Sequence, residues 1–375
     1  CIKTLQKHEA KILAIAISPD GKLLASSDNN RCYTLLDIDT GGVLYMLRGY
    51  GNHVTSLAIH PDGQLLASGD TNKQVHLWDL QSKQLVKTFS GHSGIVWTVD
   101  FVPERQAIAS GSSDHTVKFW GYPTGELQQT WQQHRGFVRK VVFNRRGTRM
   151  ASSGGNDTTL KLWDVPTGEI MWTQEHGNWV RALALSADET LLASGGGGQA
   201  INLWHFDTGH PLGNLTNHQG FIDSLAFSPT APLLASASDD GTIRLWEIES
   251  RQVHHVLQKH TQRVRTVAFS SDGTQLASGG NDTVIWLWDV ATGQALQSLR
   301  GHTAAVWALA FFPSGEHLAS GSADGTIRLW EVESGQCVDI LRCDRPYEGM
   351  NISGIQGLTP AQQEMLKTLG ATKTY

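Results

Sequence analysis

The fold is decided by residues 301–341, GHTAAVWALAFFPSGEHLASGSADGTIRLWEVESGQCVDIL. The stretch opens with an apolar run, and its later part alternates Ile and Leu with polar residues, which is the period-two sign of a strand. Turn sequences rich in Gly, Asp and Ser separate these segments. The pattern therefore predicts four short strands joined by tight turns, at Val306–Phe311, 317–320, 326–330 and Cys337–Leu341.

This unit occurs eight times at a spacing of 42 residues. The apolar residue that opens the first strand of each unit stands at Ile12, Val54, Val96, Val138, Val180, Ile222, Val264 and Val306. A histidine, or a tyrosine in the second unit, stands four residues earlier, at His8, Tyr50, His92, His134, His176, His218, His260 and His302. A tryptophan, or a leucine in the first unit, stands near the end, at Leu36, Trp78, Trp120, Trp163, Trp204, Trp246, Trp288 and Trp330.

Repeated four-stranded sheets predict a closed ring. One such sheet cannot bury both of its faces, but sheets stacked side by side and closed into a circle can. We therefore expect an all-β, eight-bladed propeller with four antiparallel strands per blade, and seven blades plus an extra unit is the alternative. Residues 2–6 resemble a fourth strand, so the sequence leaves open whether they or Cys337–Leu341 close the ring.

Composition restricts the class of function. The formal net charge of −5 argues against nucleic-acid binding, which needs a basic face. No apolar run approaches the roughly 18–20 residues that cross a bilayer. Four cysteines without a CxxC pair indicate a reducing compartment, the cytoplasm. The chain begins at Cys1 without a signal peptide, and we expect it to be cut from a longer protein.

The repeated His, Ser, Asp and Trp, with endings such as Leu-Trp-Asp, resemble the WD-repeat propeller family over about nine-tenths of the chain. The resemblance implies that these four residue types form a buried structural network running from the indole through Ser and His to Asp. Five units carry the full set: His92, Ser110, Asp114 and Trp120; His134, Ser152, Asp157 and Trp163; His218, Ser236, Asp240 and Trp246; His260, Ser278, Asp282 and Trp288; and His302, Ser320, Asp324 and Trp330.

We interpret these sets as structural and not catalytic. A Ser-His-Asp active site occurs once beside a pocket and an oxyanion hole, whereas these sets recur at the repeat period. No Walker A loop, HExxH motif or metal-spaced Cys/His group is present, so we expect no enzyme activity, no cofactor and no metal. Because an orphaned buried polar group costs about 1–3 kcal/mol, Asp240→Ala or Asp324→Ala is expected to lower stability by that amount.

Residues three and five places after the repeated His differ between units, in contrast to those that fix the fold. In the family that the chain resembles, these positions rim the central channel on the face used for partners. Strict alternation would bury the second residue of each pair, and the sequence leaves open whether a bulge turns it outward. The expected partner-binding residues are Trp97, Phe137, Arg139, Trp179, Arg181, Phe221, Asp223, Arg263, Arg265 and Trp307.

Trp and Arg are enriched at protein–protein hot spots, so we expect a protein or peptide ligand on this face, with an acidic segment favoured. The alternative is that the aromatic residues plug the channel and that the arginines are solvated or pair with Asp223. The arginines form no continuous basic stripe, which argues against a nucleic-acid or phosphorylated ligand.

We assign residues 1–343 to the propeller of eight units and 344–375 to a C-terminal extension. Thr359-Pro360 and Gly370 bound a predicted short helix docked on the propeller. The extension, RPYEGMNI followed by GLTPAQ, resembles the C-terminal region of bacterial, notably cyanobacterial, STAND-type WD-repeat signalling proteins. That resemblance implies a sensor or scaffold role in signal transduction, with other domains of the same longer chain as partners. A freestanding scaffold protein is the alternative.

Overall fold

A computed structural model describes residues 52–343 continuously and, before them, residues 12–17, 22–28, 32–37, 40 and 43–48. The chain divides into two compact units, one formed by Asn52–Arg342 and the other by residues 1–51 with 343–375. All the regular structure in the described residues is β-strand, and they include no helix long and apolar enough to cross a membrane.

The unit Asn52–Arg342 consists of seven four-stranded antiparallel sheets, each built from four consecutive strands, and we name them blades I–VII. Blade I contains β5 (Val54–Ile59), β6 (Leu65–Asp70), β7 (Gln74–Asp79) and β8 (Gln84–Ser90). Blade II contains β9 (Val96–Val102), β10 (Ala107–Ser112), β11 (Val117–Gly121) and β12 (Leu127–Trp131), and blade III contains β13 (Val138–Phe143), β14 (Arg149–Gly154), β15 (Thr159–Asp164) and β16 (Ile170–Glu175). Blade IV contains β17 (Val180–Leu185), β18 (Leu191–Gly196), β19 (Ala200–His205) and β20 (Pro211–Thr216), and blade V contains β21 (Ile222–Phe227), β22 (Leu233–Ser238), β23 (Ile243–Glu247) and β24 (Gln252–Leu257). Blade VI contains β25 (Val264–Phe269), β26 (Gln275–Gly280), β27 (Ile285–Asp289) and β28 (Ala295–Leu299), and blade VII contains β29 (Val306–Phe311), β30 (His317–Ser322), β31 (Ile327–Glu331) and β32 (Cys337–Leu341).

The apolar core lies between neighbouring blades. Between blades II and III, Phe119 packs with Met150 and with Trp163, which is 1% exposed. Trp131 stacks on Trp163 with ring centroids 4.9 Å apart. Each large aromatic residue buries roughly 150–250 Å², so these contacts between sheets supply much of the stabilisation of the ring.

Blade VII closes the ring on blade I. Strands β29 and β30 both contact β5, just as the first two strands of each earlier blade contact the next blade. The closing interface repeats a close approach: a Cβ atom at Gly321 would lie 2.5 Å from Val54 Cγ1, and one at Gly279 would lie 2.7 Å from Val306 Cγ1. A salt bridge of 2.6 Å between Lys83 Nζ and Asp339 Oδ2 also joins the two blades.

The prediction of eight blades is therefore wrong, and the propeller has seven. The residue that opens the first strand is Val or Ile in every unit, so this pattern does not decide whether the last blade packs on the first or on the second unit of the sequence. The number of blades in a ring depends on the wedge angle between twisted sheets, and the number of repeats does not fix it.

The first unit of the sequence forms a four-stranded antiparallel sheet of its own, in the order β1 (Ile12–Ile17), β2 (Leu23–Asp28), β3 (Cys32–Asp37) and β4 (Val43–Arg48). Residues 2–6 and the helix predicted within 344–375 lie outside the described residues. The domain boundary between residues 343 and 344 stays a prediction.

Candidate interaction surface on the channel face

A β-bulge stands at the start of the first strand of every blade. In β13, Val138 pairs with Gly154 and Lys140 pairs with Ser153, so Arg139 has no partner in the ladder. An extra, unpaired residue bends the strand and redirects its own side chain. The bulged residues of blades I–VII are Thr55, Trp97, Arg139, Arg181, Asp223, Arg265 and Trp307. The bulge that the sequence left open is thus present in each blade of the ring.

The bulges bring most of the predicted binding residues to one cavity of about 560 Å³. Phe221 is the one member of the predicted set outside its lining, and it stays close because the Arg181 guanidinium lies 5.1 Å from its ring centroid. The predicted residues that line the cavity are Trp97, Phe137, Arg139, Trp179, Arg181, Asp223, Arg263, Arg265 and Trp307.

The aromatic residues of this surface fall into two groups. Trp97 and Trp307 stack with ring centroids 6.3 Å apart, and the Trp97 indole N–H donates to Ser113 Oγ at 2.6 Å. Trp179 and Phe221, in contrast, are 54% and 40% exposed. Large exposed aromatic side chains beside a cavity are typical of a protein-binding surface.

Ion pairs fix three of the four arginines. The two oxygens of Asp223 accept from Arg181 Nη1 at 2.6 Å and from Arg265 Nη1 at 2.9 Å, and the side chain of Asp223 is only 5% exposed. Arg265 Nε also donates to Asn281 Oδ1 at 2.9 Å. Arg263 pairs with Asp239 through two hydrogen bonds. These contacts hold the guanidinium groups in set positions at the cavity wall.

Arg139 is held by an aromatic ring. Its guanidinium carbon lies 3.9 Å from the ring centroid of Trp97, a cation–π contact. Burial and the charges of Arg181 and Arg265 lower the pKa of Arg139 to about 10, against the attraction of Asp223. The group therefore stays protonated at neutral pH, at a cost in electrostatic energy.

Sequence reasoning missed two buried residues of opposite charge on neighbouring first strands, Asp100 on β9 and Lys140 on β13, which attract each other electrostatically. Burial raises the pKa of Asp100 to about 6, and the charge of Lys140 counteracts this shift. Burial likewise lowers the pKa of Lys140, which lines the cavity. The signal in the sequence is that the other blades carry only small or branched apolar residues at the position of Asp100, namely Ala58, Val142, Ala184, Ala226, Ala268 and Ala310.

The structure brings the members of each predicted polar set together inside its blade. In blade VII, the Trp330 indole N–H donates to Ser320 Oγ at 2.8 Å, Ser320 Oγ lies 2.7 Å from His302 Nε2, and His302 Nδ1 lies 2.8 Å from Asp324 Oδ2. An indole N–H can only donate and a carboxylate can only accept, so Ser320 Oγ accepts from Trp330 and the Nδ1–H of His302 donates to Asp324.

The serine at the centre of the set has the same two partners in blades II, III, V and VI. The four serine residues there are Ser110, Ser152, Ser236 and Ser278. Each hydroxyl oxygen accepts from the tryptophan indole of its blade at 2.8 Å. The imidazole Nε2 of the same blade lies 2.7–2.8 Å from that oxygen, and Nδ1 contacts the aspartate at 2.7–3.0 Å.

Burial distinguishes these serine residues from the binding surface. Ser110, Ser152, Ser236 and Ser278 are each 0% exposed, and so is Ser320. None of the five lines the cavity on the channel face. A ligand on the surface therefore cannot reach their hydroxyl groups, which act inside the blades and not at a ligand site.

A threonine two residues after the aspartate joins the set in most of these blades, which sequence reasoning also missed. Thr326 donates its backbone N–H and its hydroxyl to Asp324 Oδ1 at 2.9 and 2.6 Å. Burial alone would raise the pKa of Asp324, but the hydrogen bonds from His302, Thr326 and the Thr303 backbone lower it well below its usual range. The carboxylate is therefore stabilised in its charged form.

Blades I and IV depart from this pattern. In blade I, His76 Nε2 lies 2.8 Å from Asp70 Oδ2 and His76 Nδ1 lies 3.0 Å from Thr88 Oγ1, and both His76 and Asp70 are buried. The contact between His76 and Asp70 takes the place of the His–Asp contact of the other blades. The sequence indicates it, since Asp70 is a carboxylate at the end of an otherwise uncharged buried strand. In blade IV, Gly198 stands at the position of the aspartate, and burial lowers the pKa of the His176 imidazole.

The four-stranded sheets form a closed ring, and each blade presents one bulged side chain at a common channel. These features define a β-propeller of the kind that carries a binding face. The chain belongs to the WD40 family (WD domain, G-beta repeat), whose repeat matches at residues 1–33, 41–79, 83–121, 125–164, 168–205, 209–247, 251–289 and 293–331. The last seven matches supply the first three strands of blades I–VII. A search of the curated proteins found no match. WD40 propellers are generally non-catalytic scaffolds that mediate protein–protein interactions.

Proposed function

We propose that this propeller is a non-catalytic interaction module that binds a protein or peptide segment across its channel face. The observation that carries the proposal is the pair Trp179 and Phe221, which are exposed beside the cavity while Trp120, Trp163, Trp246, Trp288 and Trp330 are buried in the ring. Arg181 pairs with Asp223 and contacts the Phe221 ring. Its position favours a ligand that combines an apolar anchor with polar or acidic groups.

The geometry supports a stable binding surface because its polar groups are already ordered. Arg181 and Arg265 are fixed by one shared carboxylate, and Trp97 is fixed by stacking and by its bond to Ser113. A partner therefore loses little affinity to ordering of these side chains.

The binding energy expected from the anchor can be worked from the exposed aromatic area. Roughly half of the surface of Trp179, on the order of 100 Å², is open to a partner, which corresponds to about 2–3 kcal/mol on burial. Loss of that energy weakens binding by about 30- to 150-fold.

The test is selection from a random peptide display library on the purified protein. We expect the wild type to enrich a family of peptides with a shared apolar anchor, and the Trp179→Ala/Phe221→Ala variant to lose that enrichment. The matched control is Leu296→Ala/Val338→Ala, which removes two side chains of similar exposure from the outer strands β28 and β32. Equal enrichment by the wild type and the Trp179→Ala/Phe221→Ala variant would exclude this face as the binding site.

We further propose that the module works in the bacterial cytoplasm as the sensor or scaffold part of a larger signalling protein. The support is the likeness of residues 344–375 to the C-terminal region of STAND-type WD-repeat proteins. The full-length gene product should then contain a GxxxxGK[ST] loop before the propeller, and sequencing the complete gene checks this. Absence of that loop would favour a freestanding scaffold.

A further inference from the structure

The cavity on the channel face contains more guanidinium groups than carboxylates to pair with them. Arg139, Arg181 and Arg265 line it together, and the carboxylate among them is Asp223. Both oxygens of Asp223 are used, one by Arg181 at 2.6 Å and one by Arg265 at 2.9 Å. One negative charge therefore serves two arginines and leaves the third without a partner of opposite charge.

Arg139 is that third arginine. Among the described residues it makes no hydrogen bond and no ion pair, and its contact is the face of Trp97 at 3.9 Å. Stacking occupies the face of a guanidinium and leaves the N–H groups at its edge available. Those N–H groups form a planar fork that matches the two oxygens of a carboxylate.

A second unused donor lies in the same cavity. The Trp307 indole N–H is buried and has no hydrogen-bond partner among the residues that the structure describes. Trp307 stacks on Trp97, the same ring that holds Arg139. A buried N–H without a partner is unfavourable, so an acceptor brought by a ligand would remove that cost.

We propose that Arg139, assisted by the Trp307 indole N–H, binds a carboxylate of the peptide ligand. This inference rests on the proposed function, because it names the group that the channel face recognises. The planar fork of the one unpaired guanidinium matches the two oxygens of a carboxylate, and a phosphate is an outcome of the test. The carboxylate can belong to an Asp or Glu side chain or to the C-terminus of the peptide.

The first test compares peptide selection by the wild type and by Arg139→Met. The wild-type peptides should carry Asp or Glu at one fixed position, or depend on a free C-terminus, whereas the Arg139→Met peptides should keep the apolar anchor and lose the acid. The control Arg146→Met makes the same change of charge in the exposed turn at the other end of β13 and should select as the wild type does.

The second test measures the affinity of one selected synthetic peptide. Exchange of its acidic residue for the amide, or of its free C-terminus for the carboxamide, should weaken wild-type binding at least tenfold and change binding to Arg139→Met by less than twofold. The four affinities form a double-mutant cycle, which isolates the contact between Arg139 and the acidic group of the peptide. The amide exchange tests an acidic side chain, and the carboxamide exchange tests the C-terminus of the peptide. A phosphoserine at the acidic position should bind no better than glutamate.

Stability measurements separate binding from folding. Arg139→Met should raise the midpoint of thermal unfolding, because it removes a desolvated charge without a partner, so that weak binding by this variant cannot result from unfolding. Should Arg139→Met fail to fold, Arg139→Lys keeps the charge without the fork and should still lose at least part of the selectivity for the acid.

The outcomes are distinct. Wild-type selection of peptides without an acidic group, or equal loss from the amide exchange in the wild type and in Arg139→Met, would overturn the carboxylate assignment while leaving the binding face intact. Tenfold tighter binding of the phosphoserine peptide would also overturn it, in favour of a phosphate. Selection of no peptide by the wild type would instead refute the proposed function itself.

Discussion

Replacement of Asp240 by Ala removes four hydrogen bonds from blade V. Asp240 Oδ2 accepts from His218 Nδ1 at 2.7 Å and from the Gln219 backbone N–H at 3.0 Å. Its Oδ1 accepts from the backbone N–H and the hydroxyl of Thr242 at 2.9 and 2.7 Å. Water can reach the groups on Gln219 and Thr242 after the change, but the side chain of His218 is 0% exposed.

The magnitude follows from this difference in exposure. An orphaned buried donor on His218 costs about 1–3 kcal/mol, and the remaining bonds near the surface add about 1 kcal/mol in total. We therefore expect Asp240→Ala to lower the free energy of unfolding by about 2–4 kcal/mol. Urea unfolding followed by tryptophan fluorescence measures it as a lower midpoint with an unchanged slope.

Asp272→Ala is the matched control. Asp272 accepts from the Ser270 hydroxyl at 2.6 Å and from the backbone N–H and hydroxyl of Thr274 at 3.0 and 2.8 Å, all within a turn between strands and with no histidine. We expect this substitution to cost at most about 1 kcal/mol. Equal losses for Asp240→Ala and Asp272→Ala would show that the buried histidine does not contribute, and the structural interpretation of the polar sets would be wrong.

Three further predictions concern the closure of the ring and the polar contacts inside its blades. A protein of residues 52–343 should unfold cooperatively with the circular dichroism of a folded β-protein, and a molten or aggregated product would contradict closure by seven blades. Acid should destabilise the wild type, because a carboxylate whose pKa is lowered in the folded state loses its stabilising effect as the pH falls below the ordinary pKa of about 3.9. Asp324→Asn should flatten the loss of stability measured between about pH 4 and 2. An unaltered pH profile in this variant would argue against a contribution from Asp324. Asp70→Ala should cost about 1–3 kcal/mol in urea unfolding, since it removes a buried hydrogen bond between the carboxylate and His76 Nε2, whereas Asp62→Ala in an exposed turn should cost less; the reverse order would refute a stabilising role of the His76–Asp70 contact in blade I.

The strands could be predicted from the sequence because their signals are local. Alternation of apolar residues and the Gly- and Asp-rich turns placed four strands in each unit, and the structure has them, with β32 at the predicted Cys337–Leu341. The number of blades could not be predicted in this way. The opening residue is Val or Ile in every unit, so the packing of Val54 against Gly321 depends on the curvature of the whole ring.

The candidate site was predictable in part. The variable positions could be found by comparing the units of the sequence. The outward direction of their side chains depends on a bulge that inserts one unpaired residue, as at Arg139 and Asp223. Strict alternation of side chains along a strand argues for the opposite direction. The pairing of Asp223 with both Arg181 and Arg265 joins residues of three blades, and such a contact needs the curvature of the ring as well as the order of the chain.

The unpaired residue of each bulge has a consequence for how this protein can change. Since its backbone takes no part in the ladder, exchange of Arg139 or Trp307 leaves the remaining strand register untouched. Several of the seven bulged side chains contact one another, as Asp223 does with Arg181 and Arg265, so these positions vary in coupled groups. A library randomised at these codons should yield mostly folded proteins with new binding preferences, so that the same scaffold can evolve toward unrelated targets through changes of neighbouring pairs.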